Sequence, residues 1–175
     1  ARVMQNPYTG GAVLATGSLD GFVHLWSLSS VATSTVDKPR SHAGSQLPCM
    51  AGAVVNSVSV QHSATLNCQS PVWSLAMSYS SLCGRLVVVA GADSGCVFAW
   101  AFRALTPSAR ILSSWAVRRA HTAAVTALDL HSSVGLVASG SEDASVMLGV
   151  GGRLLGEGNE APDSGSLVRW EAPAV

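Results

Sequence analysis

Phe22-Val23-His24-Leu25-Trp26 alternates in the way a half-buried strand does. Just before it, Leu14-Ala15-Thr16 closes another β-prone run, and Asp20-Gly21 supplies a hairpin signal between the two, because glycine accepts φ > 0 without steric cost. The same figure returns at Val88 to Trp100, as Val-Val-Ala-Gly-Ala-Asp-Ser-Gly-Cys-Val-Phe-Ala-Trp. It returns in degraded form at Val137 to Gly149 and in part at Asp163 to Trp170. Recurrence of one hairpin along the chain is the mark of a repeat protein.

Taken in order, Arg2 to Gln5 reads as the tail of a strand, and Asn6 to Gly11 is a turn by composition. Ala12 to Thr16 and Phe22 to Trp26 follow as the next two strands. Residues 29–50 are rich in Ser, Thr, Pro and Gly and read as a flexible insertion, after which Val54, Val58 and Val60 mark an outer, edge-type strand. A second unit begins at Pro71 to Met77, where Val72, Ser74 and Ala76 alternate with Trp73, Leu75 and Met77. The continuous run Leu86 to Ala90 predicts a strand buried on both faces, Cys96 to Trp100 the next, and Arg110 to Val117 an outer one. A third unit has strands at Val125 to Leu130 and Leu136 to Ser139.

Two registers are open for the end of that unit. In one, Ser145 to Gly149 is its third strand and Gly149 takes the tryptophan position. In the other, residues 142–163 form an irregular insertion and Ser166 to Trp170 is the third strand. The second is favoured because Asp163-Ser164-Gly165 copies Asp93-Ser94-Gly95 and its distance to Trp.

Ala15-Thr16-Gly17-Ser18-x-Asp20-Gly21-x-Val23-x-Leu25-Trp26 resembles strand b, turn and strand c of a WD-repeat β-propeller blade. Ala120-His121-x-x-x-Val125-x-x-Leu128 is similar to the loop and strand a that precede such a hairpin, and Ala138-Ser139-Gly140-Ser141-x-Asp143 follows at the usual distance. Such blades have about 40–45 residues and four strands each. The resemblance implies an all-β fold: a WD-repeat β-propeller fragment with four-stranded antiparallel blades and an incomplete ring. The blade-like units are residues 1–61, 68–118 and 119–175. The first begins partway through a blade, so missing residues or a partner chain are expected to complete the ring.

Composition narrows the function. Charged residues are 11% of the chain and the formal net charge is zero, so no long-range field draws in nucleic acid or an acidic membrane. Mean hydropathy is +0.35. The longest apolar run, near Leu86 to Ala90, is nevertheless far too short to span a bilayer. No signal peptide is visible at the N-terminus, and the expected location is intracellular, cytoplasmic or nuclear. Cys49, Cys68, Cys83 and Cys96 include no Cys-x-x-Cys pair, so free thiols are expected and no metal or other cofactor.

By the same resemblance, His121, Ser139 or Ser141, Asp143 and a strand c tryptophan form a structural hydrogen-bond network, with Asp20, Trp26, Trp100 and Trp170 at corresponding positions. Only the third unit has the residues for a full network, and only if Trp170 serves it; Cys68 stands at the histidine position of the second. A catalytic reading of His121 with a nearby serine is not adopted, since the repeat already accounts for those residue types. Trp26, Trp73, Trp100 and Trp170 are expected in the blade core, and Trp115 partly exposed. The Gly149-Val150-Gly151-Gly152 cluster lacks the strand-to-helix setting and Gly-Lys-Ser/Thr ending of a phosphate loop and reads as a turn or linker.

Loops joining strands b to c and d to a share one face in this family, which makes Leu19, Asp93, Thr122 and Glu142 the expected contacts for other proteins. The function implied is a non-enzymatic protein-interaction scaffold within a larger protein or assembly. Two alternatives rest on partial motifs. Trp100-Ala101-Phe102-Arg103 resembles the Trp-Asp-x-Arg ending of propellers that dock on a cullin ubiquitin-ligase adaptor, without its acidic residue. Arg118-Arg119 is similar to the paired arginines of phosphoinositide-binding propellers, without the flanking Phe and Gly, and membrane-surface binding is not expected.

Overall fold

The computed structural model describes residues 1–5, 11–32, 56–80, 84–103, 111–117, 120–131, 136–150 and 167–171. Twelve strands carry the described fold. β1 (Arg2–Gln5), β2 (Ala12–Gly17), β3 (Phe22–Ala32) and β4 (Asn56–Asn67) form the first sheet, in chain order and antiparallel. β5 (Val72–Ser80), β6 (Arg85–Ala92), β7 (Val97–Phe102) and β8 (Ile111–Val117) form the second. β9 (Val125–His131), β10 (Leu136–Ser141), β11 (Ser145–Val150) and β12 (Leu167–Glu171) form the third. The three do not close a ring among the described residues. The second lies in the middle, with β5 against β1 and β2 on one side and against β9 on the other.

Two largely apolar seams join the sheets. Val13, Ala15, Val23, Leu25 and Leu66 of the first face Leu86, Val88, Ala90, Trp100 and Phe102 of the second. The other face of the second sheet, with Val87, Val89, Val97 and Ala99, meets Val125, Leu128, Val137 and Met147. β6 therefore contributes alternate side chains to both seams, which is why its sequence is a continuous apolar run.

The turns after β2, β6 and β10 share one backbone form. Gly21, Gly95 and Ala144 each have positive φ (86°, 75° and 61°) at the same turn position. Alanine in that place bears a steric strain that glycine avoids.

The third sheet overturns the favoured register. Ser145–Val150 pairs with β10, Val137 opposite Gly149, so β11 is the third strand. Trp170 lies in the fourth, with its Cα opposite Val146. Backbone pairing depends on the tight turn after Ser141, and the absence of a tryptophan at Gly149 does not disturb it. The irregular stretch therefore starts later than residue 142.

The insertion is also shorter than its composition suggests. Ser29, Ser30 and Val31 pair with Ser59, Val58 and Ser57, and β4 runs on to Asn67, beyond residue 61. These serine-rich ends need only their backbone groups to extend the ladder. Residues 33–50, Cys49 among them, lie outside the described residues, as do Cys83, Asp163-Ser164-Gly165 and Gly151-Gly152.

Candidate functional site: the turn and loop rim

One edge of the arc is built from the turns after β2, β6 and β10 and the loops that lead into β5 and β9. Each loop is tied to the turn of the sheet before it and to that of its own sheet. Cys68 N–H donates to Gly21 O (2.8 Å), and His121 N–H donates to Gly95 O (3.0 Å), the same bond in two successive seams. In return Asp93 N–H donates to Pro71 O (2.8 Å) and Glu142 N–H to Ala124 O (3.0 Å). The first seam adds Val72 N–H to Ser18 O (3.0 Å), and within the second sheet Ser94 N–H donates to the Ser70 hydroxyl (3.1 Å).

Behind the rim of the third sheet is a buried polar chain. His121 is 2% exposed, with Nδ1 2.8 Å from Ser145 Oγ and Nε2 2.8 Å from Ser139 Oγ. The Ser145 hydroxyl donates to Asp143 Oδ1. Its single proton being so used, Ser145 accepts from His121, which puts the proton of a neutral imidazole on Nδ1 and leaves Nε2 to accept from Ser139. Asp143 also takes the Ser145 N–H (2.9 Å) on Oδ1 and the Thr122 N–H (2.8 Å) on Oδ2. Desolvation pushes the Asp143 carboxyl up, but the bonds from Ser145 and Thr122, with His121 nearby, outweigh it and hold the group well below the usual carboxylate range.

The other two sheets carry reduced versions. In the first, Trp26 Nε1–H donates to Thr16 Oγ1 (3.3 Å), and Phe22 N–H donates to Asp20 Oδ1 (3.0 Å). That backbone bond lowers the Asp20 carboxyl. In the second, Cys68 holds the place of His121, and burial pushes its thiol up to about 12. Trp100 is 6% exposed and stacks on Phe98, centroids 5.9 Å apart. In that sheet Ala90 stands where Ser139 does in the third.

Family models for the WD domain, G-beta repeat, match residues 8–27 and 113–148. The three four-stranded sheets have the fold of blades of a WD-repeat β-propeller. Among solved structures, Sqt1 of Chaetomium thermophilum is similar over 85% of this chain and 30% of its own, at 19% identity and a TM-score of 0.52. The same protein bound to the N-terminus of the ribosomal protein L10 is similar over 85% and 32%, at 19% identity and a TM-score of 0.53. The chain thus spans about a third of the length of these structures, and the likeness is one of fold. No curated protein matches the chain.

Within the propeller frame, Leu19, Asp93, Thr122 and Glu142 are all exposed on the rim. Leu19, Asp93 and Glu142 occupy the same turn position in successive blades. His121, Ser139, Ser145 and Asp143 come together in the third blade, with Ser145 as a member that sequence reasoning passed over. Its signal was its place directly after the turn. Trp170, in the outer strand, is not the strand c tryptophan of that blade. Its side chain, like that of Trp115, lies outside the described residues.

Trp73 is not a core residue: it is 56% exposed. The ladder between β5 and β6 shifts between Val72 and Ser74, leaving Trp73 as the extra residue of a bulge that turns it out onto the rim. Its indole N–H donates to Asp93 Oδ1 at 2.9 Å. A like shift in β9 leaves Thr126 exposed in the equivalent place.

Arg103 is exposed at the end of β7, but fully buried Ala101 stands where the ligase-docking motif has its carboxylate. Arg118 and Arg119 lie outside the described residues. The described residues hold no group of three or more potential metal-ligating side chains and no helix long and apolar enough to cross a membrane.

Proposed function

We propose that the chain is a non-enzymatic protein-interaction scaffold, part of a larger protein or assembly, which offers its rim to other proteins. The observation that carries this reading is the division of labour along the rim. Backbone groups of the turns make the bonds from Gly21 to Cys68 and from Gly95 to His121, while the side chains of Leu19, Asp93, Thr122 and Glu142 are exposed. Residues on rigidly held turns are displayed with little ordering left to lose on binding. The WD-repeat fold itself suggests such a scaffold, and the Sqt1 propeller, solved with the N-terminus of L10, is an instance of a related fold holding a protein segment.

Against chemistry stands the burial of the one serine and histidine pair that resembles a nucleophile and its base. Both Ser139 and His121 are closed off from solvent, and every ring nitrogen of His121 has a partner within the blade. That pattern satisfies buried polar groups and stiffens the blade.

The test is co-purification from cells, read by quantitative mass spectrometry. A variant joining Leu19→Ser, Asp93→Ser, Thr122→Ala and Glu142→Ser is expected to lose the proteins retained by the wild type. Substitution of exposed Val58, on the outer strand β4, is expected to keep them. Equal recovery with both variants would refute the assignment of the rim.

A further inference from the structure

Trp73 and Leu19 are large apolar side chains left exposed on the rim, at 56% and 68%. They flank the seam between the first two blades. Val72, which precedes Trp73, donates its N–H to the carbonyl of Ser18, which precedes Leu19. Each has a carboxylate beside it: Asp20 follows Leu19 in the turn, and Asp93 accepts the Trp73 indole N–H. Asp20 and Asp93 are both exposed, and the described residues of these turns and of the loop between them include no lysine or arginine; Arg2 of β1 reaches the same seam, its Nε–H donating to the Leu75 carbonyl at 3.0 Å.

We propose that this seam receives a peptide segment in which arginine alternates with aliphatic residues, with one guanidinium seated on the Trp73 indole face against Asp93. The inference rests on the scaffold reading above and names the partner chemistry for one part of the rim. The hydrogen bond to Asp93 fixes the indole before any partner arrives, so its ring is already oriented. An electron-rich ring face next to a carboxylate attracts a cation, and the planar, weakly hydrated guanidinium stacks and donates at once where an ammonium does only one. Leu19 supplies an apolar contact one step across the seam, matching an aliphatic residue beside the arginine. Negative charge on both sides disfavours an acidic segment.

The experiment uses fluorescence polarisation of the intact protein with a short labelled peptide alternating arginine and leucine, with counterparts carrying glutamine or glutamate in place of arginine. The arginine peptide is expected to bind and the glutamate peptide not to. Trp73→Ala is expected to weaken binding about tenfold, Trp73→Phe less, and Val58→Ser not at all. Asp93→Asn keeps an acceptor for the indole but removes the charge, and is expected to reduce the preference for arginine over glutamine. Circular dichroism of each variant establishes that the blades persist. Binding of the glutamine peptide as tightly as the arginine peptide, or unchanged binding by folded Trp73→Ala, would overturn the proposal. If proteins still co-purify through the rim while the arginine peptide fails, the cation site alone falls; if the rim variant loses nothing, the scaffold reading falls with it.

Discussion

Gly95 and His121 belong to different blades and meet through backbone atoms, the N–H of His121 donating to the Gly95 carbonyl at 3.0 Å. The imidazole of the same histidine turns the other way, into its own blade, toward Ser139 and Ser145. One residue thus closes a seam with its main chain and stiffens a blade with its side chain.

A methyl group at position 95 has no room, because it would meet the His121 carbonyl, and the backbone there is at φ 75°. Gly95→Ala is expected to lose about 1–3 kcal/mol from the backbone strain alone, and more as the seam shifts. Gly21→Ala, with nearly the same φ but its nearest contact at 3.0 Å from Ser70 N, is expected to lose less. Urea midpoints of the two variants against wild type give the comparison; equal losses would contradict the close approach at Gly95.

Ala144 holds the third blade's turn at φ 61° with a side chain that the other two turns lack. Ala144→Gly is expected to raise stability by about 0.5–1 kcal/mol, since relief of the left-handed strain exceeds the added freedom of the unfolded chain. A thermal midpoint below that of wild type would contradict it.

Asp143 has its folded pKa depressed, so the unfolded chain takes up a proton before the blade does. Its stabilising contribution is complete above the ordinary carboxylate pKa of about 3.9 and is lost progressively as the pH falls through and below that value. The urea midpoint of the wild type is expected to drop between about pH 5 and pH 3, and that of Asp143→Asn to drop by less over the same interval. Parallel slopes would show that Asp143 does not drive the acid limb.

Two tryptophans separate core from display. Trp100→Ala empties a seam position and is expected to lose about 3–5 kcal/mol. Trp73→Ala removes an exposed ring and one exposed hydrogen bond, and is expected to change stability by about 1 kcal/mol or less. Chemical denaturation of the two variants side by side is sufficient, and a large loss for Trp73→Ala would place that ring in the core.

What could be read from the residues follows from which forces act locally. Asp20-Gly21 and the run Leu86 to Ala90 announced a turn and a doubly buried strand, because turn chemistry and burial on both faces leave a signature within a few positions. The residues favour the wrong third strand because Asp163-Ser164-Gly165 and its distance to Trp170 form a strong local cue, while the pairing of Gly149 with Val137 is decided by the strand across from it. Trp73 reads as core because it recurs at a strand position like the other tryptophans, on one face with Leu75 and Met77. A bulge adds one residue and breaks that alternation without any mark in composition. The partnership of His121 with Ser139 was legible as a spacing, whereas Ser145 joins through a turn whose geometry had first to be known.

The bonds by which Cys68 meets Gly21, His121 meets Gly95, Asp93 meets Pro71 and Glu142 meets Ala124 use amide and carbonyl groups, which every residue type except proline supplies in full. Positions 19, 93 and 142 can therefore exchange one side chain for another while the joints beneath them stay fastened. A rim whose joints ignore side-chain identity at these three positions is free to change what it recognises there without first relearning how to stand.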